Sequence, residues 1–197
     1  MQRPRIILFD VLGTLVYDPF YVEVPAFFGM ELKQLLVEKH PRAWVDFELG
    51  RIDETSLLRD FFKDGRPVDG PGLKACMQSA YAWLPGMREL VLEMQSAGVD
   101  LHVLSNYPQW YALIEEKLQF QDYFERAFLS YELGLRKPDP RIYERVVLEL
   151  DVAPQEALFI DDREENCAAA RDVGLIALKM EGAQQLREEC AALGLAL

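Results

Sequence analysis

Apolar positions along the chain fall into two patterns. Short runs rich in aliphatic and aromatic residues at 5–9, 99–104, 126–130, 157–160 and 175–179 predict five buried strands. Spacings of three and four predict helices over 86–97, 109–118, 140–150, 163–173 and 183–193. Pro108, Pro140 and Pro154 stand near the starts or flanks of these segments, and Gly98, Gly174 and Gly194 stand near helix ends, as capping prefers. Strand and helix alternate, so the expected fold class is α/β: a doubly wound parallel sheet covered on both faces. One block breaks the alternation. Over 17–84 the spacing is helical, with Val24, Phe27, Phe28, Leu32, Leu35 and Leu36 on one stripe and Leu57, Leu58, Phe61 and Phe62 on another. "KDGRPVDGPG" (63–72) reads as a loop within it, and "LPGM" (84–87) marks the return to the sheet. The expected organisation is a core domain of 1–16 and 85–197 and a small α-helical cap of 17–84, inserted after the first strand beside the sheet's carboxyl edge, where ligands of such sheets sit.

The chemistry-bearing residues stand at strand ends. The first strand ends at Asp10, the second at Ser105 and Asn106, the fourth at Asp161 and Asp162, and Lys137 precedes a helix in "GLRKPDP". A doubly wound sheet brings these ends to one crevice. Three carboxylates gathered there repel one another unless a cation joins them, and oxygen ligands suit a hard divalent ion, Mg²⁺. The Gly13 and Thr14 backbone, the Ser105 hydroxyl, the Asn106 amide and Lys137 then offer donors to a bound phosphoryl group. Tyr107 and Trp110 follow the serine and asparagine directly, and Tyr107 is the candidate for substrate contact on that placement.

Composition narrows the partners. With 197 residues, half of them hydrophobic, the chain can bury a full core. Its formal net charge of -12, from 33 acidic and 21 basic residues, disfavours nucleic acid and anionic membranes, leaving a small molecule or metal ion as partner. Cys76, Cys167 and Cys190 show no CxxC spacing, which points to idle thiols in a reducing compartment. The chain enters its first strand within a few residues of Met1, so no leader is expected in it. A cytoplasmic location is expected, or an organelle where a transit peptide has been removed. Neither a monomer nor a homodimer is favoured.

"FDVLGT", "LSN", the lysine of "RKPDP" and "FIDDREEN" together resemble the four motifs of the haloacid dehalogenase-like hydrolase superfamily, whose core is Rossmann-like and one branch of which carries a small cap after the first strand. The resemblance implies that Asp10 is the nucleophile of an aspartyl-phosphate intermediate and that Mg²⁺ is held by Asp10, the Leu12 carbonyl, Asp161 and Asp162, with Asp162 the preferred direct ligand. It implies that Ser105, Asn106 and Lys137 hold phosphoryl oxygens. "DPFYVEVPAFFGM", "FFKDGR" and "SNYPQWY" carry it further, since they resemble the plastid flavin mononucleotide (FMN) hydrolases of plants and algae. The implied substrate is a small phosphorylated metabolite, FMN, with Phe27 and Phe28 available to its ring system.

One motif position departs from the superfamily pattern. Its phosphatases normally carry a second aspartate two residues after the nucleophile, which protonates the leaving oxygen and then activates water. Leu12 stands there. Three readings remain: a phosphatase in which water or another side chain such as Asp18 substitutes, a 2-haloacid dehalogenase, whose halide leaves without a proton, or a binding protein without catalysis. The dehalogenases need no metal and lack the paired carboxylate, so Asp161 and Asp162 weigh against that reading. His102, on a buried strand, is expected to be a satisfied core residue, and Asn166, one turn beyond the acidic pair, is placed to orient it.

Overall fold

The computed structural model describes residues 3–195; the ends of the expected core domain, Met1–Gln2 and Ala196–Leu197, lie outside the described residues. Five strands, β1 (Ile6–Phe9), β2 (Asp100–Ser105), β3 (Arg126–Leu129), β4 (Ala157–Asp161) and β5 (Ile176–Lys179), form one parallel sheet in the order β3-β2-β1-β4-β5. All four residues of β1 are buried, as the middle strand of a sheet covered on both sides requires.

Alternation along the strands sorts the core into two layers. Ile7, Phe9, Leu101, Val103, Leu158 and Ile160 face one layer, with helices α6 (Met87–Ser96), α7 (Tyr111–Leu118) and α11 (Ala183–Ala192). Ile6, Leu8, Leu104, Phe128 and Phe159 face the other, with α9 (Pro140–Glu149) and α10 (Glu164–Val173). Asp139 caps α9, its side chain accepting the Arg141 amide at 3.0 Å with Pro140 in the first turn.

Element ends differ from the expectation for local reasons. The strand expected at 99–104 runs one residue later because the Val99 amide closes the preceding turn on the Met94 carbonyl. Ser130, expected in the third strand, instead opens a one-turn helix, α8 (Ser130–Leu133), its hydroxyl donating to the Glu48 carbonyl at 2.5 Å. The expected stripe from Val24 to Leu36 is broken at Gly29, whose φ of 66° separates α1 (Glu23–Phe27) from α2 (Leu32–Glu38) and leaves Leu36 half exposed. Phe61 and Phe62 lie beyond the end of α4 (Glu54–Arg59). Residues 70–72, read as loop, form the first turn of α5 (Gly70–Ala80), where Asp69 accepts the Gly72 amide at 3.0 Å.

The helical block fastens to the sheet at both of its ends. The Tyr17 amide donates to the Ala82 carbonyl and the Leu84 amide to the Leu15 carbonyl, so entering and leaving segments cross side by side. Further along, Trp110 donates to Glu54 at 2.7 Å and packs edge-on against Trp44 and Phe47, which lie on α3 (Ala43–Glu48). Gly50, after α3, has a φ of 66°, and a Cβ there would lie 2.5 Å from the Tyr131 carbonyl oxygen. Among the described residues no helix is long and apolar enough to cross a membrane.

Left-handed strain and the backbone clash act together at Gly50. Gly50→Ala is expected to cost about 1–3 kcal/mol or more in urea denaturation; an unchanged midpoint would show that the block sits against α8 less closely than described.

Candidate active site

Strand register levels the chemistry. Phe9 lies opposite Val103 on one side and Ile160 on the other, so the next residue, Asp10, emerges beside Leu104 and Asp161. The Asp10 amide donates to the Ile160 carbonyl at 2.9 Å. The chain then turns tightly: the Val11 carbonyl accepts from the amides of Thr14, Leu15 and Val16, and Gly13 (φ 84°) donates to the Val16 carbonyl. Glycine suits position 13, where φ is left-handed and a Cβ would lie 2.8 Å from an Asp162 carboxylate oxygen.

Lys137 occupies the centre. The residue is 2% exposed, and its ammonium donates to Asp10 Oδ1 at 2.7 Å, Asp161 Oδ2 at 2.7 Å and the Leu104 carbonyl at 2.8 Å, which uses all three protons. Asn106 fixes the backbone of that lysine, accepting its amide at 2.7 Å and donating to its carbonyl at 2.8 Å. The Ser105 hydroxyl donates to Asp10 Oδ1 at 3.2 Å. Thr14 ties the two strand ends together, donating to Asp10 at 3.5 Å and accepting the Asp162 amide at 3.0 Å.

The two adjacent aspartates divide their duties. Asp161 is fully buried and saturated: beyond Lys137 it accepts the Arg163 amide at 2.8 Å and the Asn166 amide on both oxygens at 3.0 Å. Asp162 is half-buried, and no other described residue donates a hydrogen bond to its carboxylate. One oxygen from each of Asp10, Asp161 and Asp162 lies within 4.8 Å of the others. This all-oxygen set, with one carboxylate free, fits a hard divalent cation. The Leu12 carbonyl takes no part in the hydrogen bonds of the turn.

Burial pushes the Asp10 carboxyl up to about 7, aided by the negative charge of Asp161 and opposed by Lys137. Asp162 is raised by burial and by Asp161. Burial alone would lower Lys137, but Asp10 and Asp161 outweigh it and hold the ammonium above its ordinary value.

Above these groups opens a cavity of about 320 Å³, large enough for a small metabolite. Phe20, Tyr21, Trp44, Phe61 and Tyr107 give it aromatic walls, and Glu48, Arg136 and Arg163 add charge. Tyr107 lies there as expected, but it is almost wholly buried, and its hydroxyl is engaged with that of Tyr81. Phe27 and Phe28 do not line the cavity; Phe28 packs on Phe61 and Phe62 as core. Gly13 and Thr14 sit beside the carboxylates, yet both of their amides are engaged inside the turn, so they are not the expected phosphate donors as the chain stands here. His102 is buried but not satisfied, its Nδ1 lacking a partner among the described residues. Arg136 and Arg163 were within reach of the sequence, each being the neighbour of a motif residue. Trp44, Phe61 and Glu48 carry no signal that separates them from core or surface.

The family model for haloacid dehalogenase-like hydrolases matches residues 4–174. The chain belongs to that family. It is 48% identical, over 98% of its length and 79% of the relative's, to flavin mononucleotide hydrolase 1, chloroplastic, of Arabidopsis thaliana. Among solved structures, a haloacid dehalogenase-like enzyme of Bacteroides thetaiotaomicron superposes with a TM-score of 0.76 at 21% identity, over 94% of this chain and 100% of that one. The same enzyme in complex with magnesium and inorganic phosphate gives 0.71 at 23%, over 90% and 94%. At these identities the likeness to the solved structures is one of fold.

Removing Lys137 would leave two buried carboxylates uncompensated. Lys137→Met is expected to lose activity and about 3–5 kcal/mol of stability in metal-free urea denaturation; a loss below about 1 kcal/mol would show that the carboxylates do not depend on it. A second expectation concerns pH. Between the ordinary carboxyl value and about 7, folded Asp10 keeps a proton that the unfolded chain has released, so its contribution to metal-free stability falls as pH rises through that window. Mg²⁺ must displace that proton, so the rise in Tm caused by Mg²⁺ should be larger near pH 7.5 than near pH 5. Equal rises at both pH values would place the ion elsewhere.

Proposed function

We propose that this protein is a Mg²⁺-dependent phosphomonoester hydrolase that converts FMN to riboflavin and phosphate. The observation that carries this reading is the placement of Asp10 at the floor of an aromatic-walled cavity, between a buried lysine and a carboxylate pair suited to a cation. The 48% identity to a flavin mononucleotide hydrolase supports the substrate.

In this reading Asp10 attacks phosphorus, and its ester with phosphate is later cleaved by water. Lys137 and Ser105, both already in contact with Asp10, orient its carboxylate and turn toward the incoming phosphoryl oxygens. Asp10, Asp162 and the Leu12 carbonyl would hold Mg²⁺ directly, and Asp161, anchored by Lys137 and Asn166, would set the shape of that site. When bound, the ion draws negative charge from the phosphoryl oxygens as it develops. The block of residues 17–84 acts as a cap, since Phe20, Tyr21, Trp44 and Phe61 all come from it and meet the core across the cavity. The relative's chloroplastic name supports a stromal site of action.

Two other readings weigh less. A 2-haloacid dehalogenase has no use for the free Asp162 carboxylate, and a binding protein has none for a lysine-gripped Asp10. Purified protein with Mg²⁺ is expected to release phosphate from FMN, and Asp10→Asn or EDTA should lower the rate by about a thousandfold or more. Absence of phosphate release from both FMN and p-nitrophenyl phosphate would overturn the reading, whereas release from p-nitrophenyl phosphate alone would overturn only the substrate.

A further inference from the structure

A phosphatase of this design needs a proton for the leaving alcohol, and the half-buried Leu12 offers none. The replacement must be a titratable group on the cavity wall that is not already committed. Among the described cavity residues, Asp10 and Asp162 belong to the cation cluster. Glu48 is paired with Arg136 at 3.0 Å and takes the Trp44 indole N–H at 2.6 Å. Tyr107 is buried with its hydroxyl against Tyr81. Asp18 remains.

Its position follows from the turn after β1. Leu12 and Val16 are bridged side by side, and Asp18 stands two residues beyond Val16, on the same segment as it leaves the core. There it caps the single 3-10 turn Pro19–Tyr21, one oxygen accepting the Phe20 amide at 2.9 Å. Its second oxygen has no partner among the described residues, and no described cation pairs with it. Phe20 and Tyr21, from the same turn, line the cavity beside it. Burial raises its carboxyl pKa against the pull of the Phe20 amide, with Asp162 and Glu23 adding to the rise, which favours the protonated form that a proton donor needs.

We infer that Asp18 is the acid and base of this enzyme, supplying from the cap side the proton that position 12 cannot. The assignment rests on the phosphatase reading above. In the first step Asp10 forms its bond to phosphorus, the bond from phosphorus to the ester oxygen breaks, and the Asp18 proton passes to that oxygen to give the free alcohol. In the second, water attacks phosphorus, its proton passes to the Asp18 carboxylate, and the bond to Asp10 breaks to release phosphate. No oxidant or reductant is involved, and Asp18 ends as it began.

Asp18→Asn tests this, because asparagine keeps the oxygen that caps Phe20 while losing the transferable proton. Its Tm should match the wild type. Its kcat on FMN, whose alcohol leaves poorly without a proton, should fall about 100-fold or more, while the first-turnover burst of p-nitrophenolate from p-nitrophenyl phosphate should stay within about threefold. Adding Leu12→Asp to Asp18→Asn should recover FMN turnover about tenfold or more, as a carboxyl returned to position 12 takes over the role. The inference is overturned if Asp18→Asn turns over FMN at the wild-type rate, or if it loses the FMN rate and the p-nitrophenolate burst equally. Wild-type protein inactive on both substrates removes the phosphatase reading and the Asp18 role with it.

Discussion

One buried ammonium group holds the catalytic end of this molecule together. Lys137 reaches the ends of three neighbouring strands at once, binding Asp10 after β1, the Leu104 carbonyl of β2 and Asp161 of β4. Without it, two carboxylates with little access to water would face each other unpaired, a repulsion that a fold of ordinary stability tolerates poorly. Its own backbone is held by Asn106 from the β2 end, so the lysine is positioned by the same sheet edge it stabilises.

That arrangement explains why two adjacent aspartates differ so sharply. Asp161 points inward, its charge spent on Lys137, Asn166 and a backbone amide. Asp162 points to the cavity with its oxygens uncommitted, and Gly13 leaves room for it. A positive charge bound there would complete the balance that Lys137 begins, since Asp10, Asp161 and Asp162, once all are ionised, exceed one lysine by two negative charges. Adjacent residues on a strand's exit alternate direction, so a single dipeptide supplies both an anchor and a ligand.

Much of this was legible in the sequence because strand ends in an open parallel sheet converge whatever their separation along the chain. Asp10, Ser105, Asn106, Asp161 and Asp162 could be placed in one crevice from that rule alone, whereas Lys137, in the loop before α9, needed the motif as well. Hydrogen bonds that never leave the turn were not legible: the Gly13 and Thr14 amides look like phosphate donors until the Val11 and Val16 carbonyls are seen to take them. The block of residues 17–84 was legible as helical, but not its breaks, because one left-handed glycine at 29 redirects a stripe that periodicity reads as continuous. Its aromatics were harder still. Phe28 and Phe61 have the same side chain and touch each other, yet only Phe61 reaches the cavity, a distinction set by tertiary packing rather than by spacing.

The most direct measurement is a crystal structure of the protein grown with Mn²⁺ as a visible substitute for Mg²⁺. The account expects one anomalous peak at the carboxyl edge of the sheet, about 2.0–2.3 Å from oxygens of Asp10 and Asp162, with Lys137 still bound to Asp161. A peak away from both aspartates, or no peak with the site intact, would contradict it.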